Sequence, residues 1–167
     1  LQFTTAQLFC IVGFMKIGYI GLGRMGKNMV LLLLEKGIEV VAWNRSPEPR
    51  EELKREAGNL KSGSENLTLA ESLDELINNL ETPRVIWLMV TAGPAIDELL
   101  TQLAERLDKG DLVIDGGNSL YKETLRRNDI LTAKGIHFMD AGTSGGIEGA
   151  RTGACIMVGG LREDFDK

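Results

Sequence analysis

The sequence predicts a doubly wound α/β fold: a mainly parallel sheet with helices on both faces, in three α/β/α layers. Three observations predict it. Short apolar runs alternate with amphipathic stretches at the spacing that right-handed crossovers between parallel strands require. A glycine string, Gly21-Leu22-Gly23-Arg24-Met25-Gly26, stands where the first apolar run ends and the first helical stretch begins. The chain has 167 residues, 43% hydrophobic and 26% charged, the balance of one globular domain and not of a disordered segment.

Taken in order, Lys16–Ile20 is a buried strand that runs into glycines. Residues 24–36 have helical composition and stop at Gly37, where a left-handed cap suits glycine. Residues 38–43 are a second strand. Ser46-Pro47 opens a helix as N-cap and first-turn proline, and residues 51–56 continue it. Residues 57–66 are polar and rich in Gly, Ser and Asn, a loop composition. Ser72 with Glu75 makes a capping box for a helix reaching Leu80. A strongly apolar strand follows at 84–90, a helix at 94–107, a strand at Leu112–Asp115, a helix at 121–134 closed by Gly135, and a strand at 136–140. Residues 162–167 read as the first turn of a further helix.

Residues 1–14 are uncharged and lead directly into Met15. They lack the basic opening and small-residue close of a secretory signal. The expectation is that Met15 is the native start, residues 1–14 are upstream or added sequence, and 15–167 form the folded domain. A net charge of -5 argues against a nucleic-acid surface, which needs a basic stripe. No uncharged apolar run approaches the roughly 18 residues of a membrane span. Two cysteines, Cys10 and Cys155, and the single His137 supply neither a disulfide framework nor a metal cluster, so no metal is expected and the compartment reads as reducing and cytoplasmic.

The glycine string has the context that gives it meaning: a strand before, a helix after, and a second strand ending at Trp43. The first glycine permits the tight turn, the second lets a pyrophosphate approach the backbone, and the third lets helix and strand pack closely. The helix N-terminus offers free N–H groups to the anion. The sheet is therefore read as Rossmann-type and the domain as NAD(P)-binding. At the end of the second strand an NAD site needs a carboxylate for the ribose hydroxyls. This chain has Asn44-Arg45-Ser46 instead. A guanidinium pairs with a 2′-phosphate and stacks on adenine, while Ser46 and Asn44 can donate hydrogen bonds, so NADP is favoured, with NAD possible.

Three further segments fall at carboxyl ends of strands, where ligands of open α/β sheets bind. They are Met89-Val90-Thr91-Ala92-Gly93-Pro94, Asp115-Gly116-Gly117-Asn118-Ser119, and Asp140-Ala141-Gly142-Thr143-Ser144-Gly145-Gly146. Each places small residues and hydroxyl or amide groups where bulk would block a ligand.

With the stretches MKIGYIGLGRMG, MVTAGPAID, IDGGNSLYKETLRR and DAGTSGGIEGARTGACIMVGG, the chain resembles the decarboxylating 6-phosphogluconate dehydrogenases of the β-hydroxyacid dehydrogenase superfamily, from Met15 to the C-terminus. The DGGNS and SGGxxGA segments are the specific part. The resemblance implies an NADP-dependent oxidative decarboxylation of 6-phospho-D-gluconate to D-ribulose 5-phosphate and CO2 in the pentose phosphate pathway. It implies that Gly21, Leu22, Gly23, Arg24, Met25, Gly26, Asn44, Arg45, Ser46, Val90, Thr91 and Ala92 hold the cofactor. By the same resemblance Asn118 lies between nicotinamide and substrate, and Ser144, Gly145 and Gly146 bind the sugar acid. One departure is Thr91, where many members carry lysine.

The family's catalytic lysine and glutamate lie beyond Lys167, so no catalytic residue is expected in this chain, and a helical domain that builds the homodimer or tetramer is expected to be missing. Lys122, Lys134 and Lys167 are read as solvated, His137 as structural with no evident carboxylate partner, and Asp115 and Asp140 as strand-end groups pairing with backbone N–H. Two other readings stand beside this one. A 3-hydroxyisobutyrate or tartronate-semialdehyde type of dehydrogenase is disfavoured by Gly116-Gly117-Asn118. A stand-alone, non-catalytic dinucleotide module is disfavoured by the substrate-side Ser144–Gly146 turn.

Overall fold

The computed structural model describes residues 16–166, so the expectation for residues 1–14 lies outside the described residues. The strands are β1 (Lys16–Ile20), β2 (Glu39–Trp43), β3 (Leu67–Leu69), β4 (Val85–Leu88), β5 (Leu112–Asp115), β6 (His137–Ser144) and β7 (Cys155–Gly159). The helices are α1 (Arg24–Glu35), α2 (Glu48–Ala57), α3 (Leu73–Asn78), α4 (Pro94–Ala104), α5 (Tyr121–Thr132), α6 (Gly146–Thr152) and α7 (Arg162–Phe165). All seven strands share one sheet in the order β3-β2-β1-β4-β5-β6-β7. Pairing is parallel from β3 through β6, and β7 runs antiparallel to β6, with Ser144 opposite Cys155. The strand order reverses between β1 and β4, which opens a crevice above their carboxyl ends.

Alternation along each strand divides the core between two faces. Ile17, Tyr19, Val40 and Ala42 pack with Leu34 of α1, Leu53 of α2 and Ala150 of α6. Ile20, Val41, Ile86, Leu88 and Val113 pack with Leu76 of α3, Leu103 of α4 and Leu131 of α5. Each fully buried aliphatic side chain contributes about 1.5–3 kcal/mol. Below the sheet, at the amino ends of β4 and β5, fully buried Asp111 accepts the Arg84 N–H at 2.7 Å, Arg84 Nη1 at 2.8 Å and the Asp108 N–H at 2.9 Å.

The local signals hold where backbone hydrogen bonds decide the outcome. Gly37 has φ +80, and Gly37 and Ile38 N–H groups close α1 on Leu34 O and Leu33 O. The Glu75 N–H donates to Ser72 Oγ at 3.1 Å, although Glu75 Oε2 reaches back one residue further, to the Glu71 N–H at 2.7 Å.

Other expectations need correction. Ser46 does not cap α2: Pro47 occupies the cap, makes no side-chain bond, and accepts the Arg50 and Glu51 N–H groups through its carbonyl. The polar 57–66 stretch is followed by β3, whose three residues are too few to show a period. Residues 140–144 are not a turn: β6 continues to Ser144 because β7 pairs with that segment. β4, α4 and α5 stop short of expectation, at Leu88, Ala104 and Thr132.

Candidate functional site

A cleft of about 430 Å³ lies above the reversal point of the sheet. Gly21 and Gly23 form its floor, Asn44, Arg45 and Ser46 one rim, and Met89, Val90 and Thr91 the other. The three loop glycines do different things. Gly21 has φ +100, and a Cβ there would also run into the Met89 carbonyl. A Cβ on Gly26 would collide with the Gly21 carbonyl oxygen, so this residue lets α1 sit against the loop. A Cβ on Gly23 would meet nothing within 4 Å, so its bareness leaves room above the backbone. The first helical N–H with an acceptor is that of Lys27, to Gly23 O at 2.9 Å. Those of Arg24, Met25 and Gly26 precede it, and no acidic side chain stands in this first turn. Free N–H groups, a positive dipole end and open space fit a phosphate.

Asn44 lines the cleft and also braces the loop, with one amide N–H left for a ligand. Its Oδ1 accepts the Leu22 N–H at 3.0 Å and its Nδ2 donates to Ser46 O at 3.0 Å, so it clamps the glycine loop to the end of β2. Arg45 is exposed on the rim and makes no ion pair among the described residues. Leu22 and Gly26 are buried beneath the loop, Met25 is half-buried, and Arg24 and Ala92 are exposed.

The far wall was missed by sequence reasoning. Ala95, Glu98, Leu99 and Gln102 of α4 line the cleft beside Trp43. Their spacing is a helical stripe, the signal that marks one face of α4 as turned to the opening.

A second group forms beside the cleft, outside its lining. Asn118 has φ +57. Its Oδ1 accepts the Thr143 N–H at 3.1 Å and its Nδ2 donates to Thr143 O at 3.4 Å. This brace joins the turn after β5 to the end of β6, and so sets Asn118 near Ser144, Gly145 and Gly146. An amide has two donors and two acceptor sites, so one of each remains for a ligand. Ser144, Gly145 and Gly146 are exposed, with φ +131 and +61 at the two glycines.

The carboxylates separate. Asp115 is fully buried and accepts the Gly117 N–H at 2.9 Å and Ser119 Oγ at 2.6 Å, as expected of a strand-end acid. Asp140 pairs with a hydroxyl, Thr124 Oγ1 at 3.3 Å, and not with backbone. Burial, and then the charge of Asp115, hold the Asp140 carboxyl above the usual aspartate range. His137 begins β6, at the opposite end of that strand from Ser144, and does have a carboxylate partner: its Nδ1 lies 2.6 Å from Asp164 Oδ1. Its ring, Glu163 and Asp164 bring three potential ligand atoms within 4.8 Å of one another, far from the cleft end of the sheet.

Residues 16–167 match the family described as the NAD binding domain of 6-phosphogluconate dehydrogenase. The chain belongs to that family. Over 148 residues it is 46% identical to the NADP(+)-dependent, decarboxylating 6-phosphogluconate dehydrogenase of Bacillus subtilis, covering 89% of this chain and 30% of that protein. Over 146 residues it is 45% identical to the decarboxylating 6-phosphogluconate dehydrogenase of Chlamydia muridarum, covering 86% and 29%. Among solved structures it superposes on Plasmodium falciparum 6-phosphogluconate dehydrogenase with TM-score 0.85 and 37% identity, over 90% of this chain and 32% of that one. The chain thus spans about 30% of the length of these curated relatives. A Mycobacterium tuberculosis 3-hydroxyisobutyrate dehydrogenase, at 21% identity and TM-score 0.77 over 92% of this chain and 49% of that one, shares the fold. Among the described residues no helix is long and apolar enough to cross a membrane.

Proposed function

We propose that this chain is the NADP-binding domain, residues 15–167, of an enzyme that oxidatively decarboxylates 6-phospho-D-gluconate to D-ribulose 5-phosphate and CO2. Family membership supports the reaction, and the Plasmodium relative is described with cofactor NADP+ and substrate 6-phosphogluconate. The observation that carries the cofactor reading is Arg45, exposed and free of ion pairs among the described residues, on the cleft rim beside the glycine loop. A carboxylate at that position would repel a 2′-phosphate; a guanidinium binds one.

The residues divide the task. The N–H groups of Arg24, Met25 and Gly26 bind the pyrophosphate, with Gly23 admitting it and Asn44 holding the loop in place. Arg45 and Ser46 bind the 2′-phosphate. Val90, Thr91 and Ala92 border the nicotinamide half. Asn118, braced on Thr143, and Ser144, Gly145 and Gly146 orient the sugar acid. Bound NADP supplies a hydride acceptor. The groups that move protons at the 3-hydroxyl and the enediol are assigned to the part of the relatives that this chain does not span. Without them the chain binds cofactor and turns over poorly. The reading carries with it a cytoplasmic location and a homodimeric or tetrameric whole protein. Exposed Ile156 and Val158 on one face of β7, and Met157 on the other, support an apolar contact at that edge of the sheet.

Titrating NADPH and NADH into the chain tests the assignment. NADPH is expected to bind more tightly, and Arg45→Asp is expected to reverse the order. Equal affinities in the wild type would refute it.

A further inference from the structure

We propose that Arg127 is a positioning residue for the nicotinamide half of the site. It locks the turn after β4 to the turn after β5. The inference rests on the dinucleotide reading above, in which the adenosine half lies over β1 and β2 and the nicotinamide half over β4 and β5.

The two turns belong to different crossover units. Their backbones meet through one bond, from the Gly116 N–H to Leu88 O at 2.8 Å. Beyond that point Gly117 packs against the Val90 carbonyl, and side chains supply the remaining ties. Arg127 of α5 is 3% exposed, and its guanidinium reaches both turns at once. Nε and Nη2 donate to the Asp97 carboxylate of α4 at 2.9 and 3.3 Å. Nη2 also donates to Gly93 O, at the end of the first turn, at 3.4 Å. Nη1 donates to Ser119 Oγ at 2.8 Å and lies 3.5 Å from Asp115 Oδ2 in the second.

This chain of contacts ends at Asn118. Asp115 is fully buried and draws its countercharge from Arg127. Its two oxygens hold Gly117 and Ser119, the neighbours of Asn118 on either side. Asn118 sits at φ +57, a left-handed conformation that asparagine adopts more readily than other non-glycine residues. The planar fork of arginine suits this geometry, whereas a lysine ammonium is a single point and cannot span Asp97, Gly93 and Ser119 together.

Arg126 provides the internal control. It shares Asp97 Oδ1, at 2.6 Å, and otherwise pairs with Glu123, but no contact of its side chain reaches either turn among the described residues.

Two ligands separate positioning from general support. NADPH spans both halves of the site, while adenosine 2′,5′-bisphosphate occupies only the adenosine half. In Arg127→Lys, NADPH affinity is expected to fall about tenfold, the scale of one lost charge-assisted hydrogen bond, with bisphosphate affinity changed less than about twofold. Ser119→Ala is expected to act in the same direction and more weakly, and Arg126→Gln to change neither affinity. Equal losses for both ligands in Arg127→Lys, or no NADPH loss in either Arg127→Lys or Ser119→Ala, would overturn the proposal. Should Arg127→Lys lose its cooperative melt, Ser119→Ala decides alone. A wild-type chain that binds NADPH and bisphosphate equally well overturns the inference and leaves the cofactor reading standing. One that binds neither overturns both.

Discussion

The same substitution, glycine to alanine, is expected to have opposite effects at Gly23 and Gly26. Gly23 has φ -64 and ψ -175, backbone that alanine adopts without strain, and its Cβ would meet nothing within 4 Å. Alanine there restricts the unfolded chain and stabilises the fold by about 0.4–1 kcal/mol, which raises Tm by about 1–4 °C in a domain of this size. In the proposed site the new methyl group occupies the space left open for a pyrophosphate. Overpacking of that kind costs about 1–3 kcal/mol, a loss in NADPH affinity of about 5- to 150-fold. Gly26 is the reverse case. Its Cβ would strike the Gly21 carbonyl oxygen and sit 3.3 Å from the Tyr19 ring, so backbone must move. The same overpacking range then falls on the fold, with Tm lower by about 2–12 °C. Thermal melts and NADPH fluorescence titrations of the two variants measure both quantities. A Gly23→Ala chain that binds NADPH as the wild type does, or a Gly26→Ala chain that melts with it, would refute the division of roles within the loop.

Three other perturbations follow from the charged groups. Because the Asp140 carboxyl is held above the usual range, the folded chain binds its proton more tightly than the unfolded chain. Wild-type stability should therefore fall relative to Asp140→Asn as pH rises from the ordinary aspartate value through the raised one, and a pH series of urea melts that stayed parallel would contradict this. Asp97 has the opposite sign: hydrogen bonding from Arg127 holds its carboxyl below the usual range, so its contribution is present above the ordinary aspartate value and is lost as pH falls through the depressed one. The Asp97→Asn variant should show a flatter acid limb in the same melts. Asp111→Ala leaves Arg84 without its buried countercharge and the Asp108 N–H without an acceptor, and chemical denaturation should register a loss of about 3–5 kcal/mol with cofactor affinity unchanged.

What the sequence discloses is what short-range chemistry decides. Gly37 closes α1, Ser72 caps α3 and the glycine loop turns out of β1 because each depends on partners a few residues away. What it conceals depends on distant partners. Gly142, Thr143 and Ser144 have the composition of a turn, and they become strand because Met157, Ile156 and Cys155 lie opposite them. His137 finds Asp164 only once α7 folds back onto β6. In the candidate site the loop glycines are legible because their backbone roles follow from the missing side chain, and Arg45 is legible as a cation on the cleft rim. Asn44 is legible as important but not in its full action, since its amide also ties the Leu22 N–H to Ser46 O across the loop. Arg127 is invisible in a run of helix-surface charges, because only tertiary packing separates it from Arg126.

The extension of β6 past Asp140 brings a second set of residues beside the cleft. A strand ending at Asp140 would stop level with Asp115, its partner in the sheet. Continuing to Ser144, it passes the turn after β5 and offers Thr143 backbone to Asn118, so the two segments become one structure. The chain then turns through Gly145 and Gly146 into α6, which crosses to the face occupied by α1. Two interactions fasten it there. The Arg151 guanidinium grips the Glu35 carboxylate at 2.6 and 2.7 Å, but both side chains are about one-third exposed, so water screens the pair and its contribution is small. Ala150 is fully buried in the cluster that contains Leu22, Met29 and Val30. Apolar packing therefore sets the position of α6. Because Leu22 belongs to the glycine loop and Ala150 to the helix that follows Ser144, one core cluster packs against both segments.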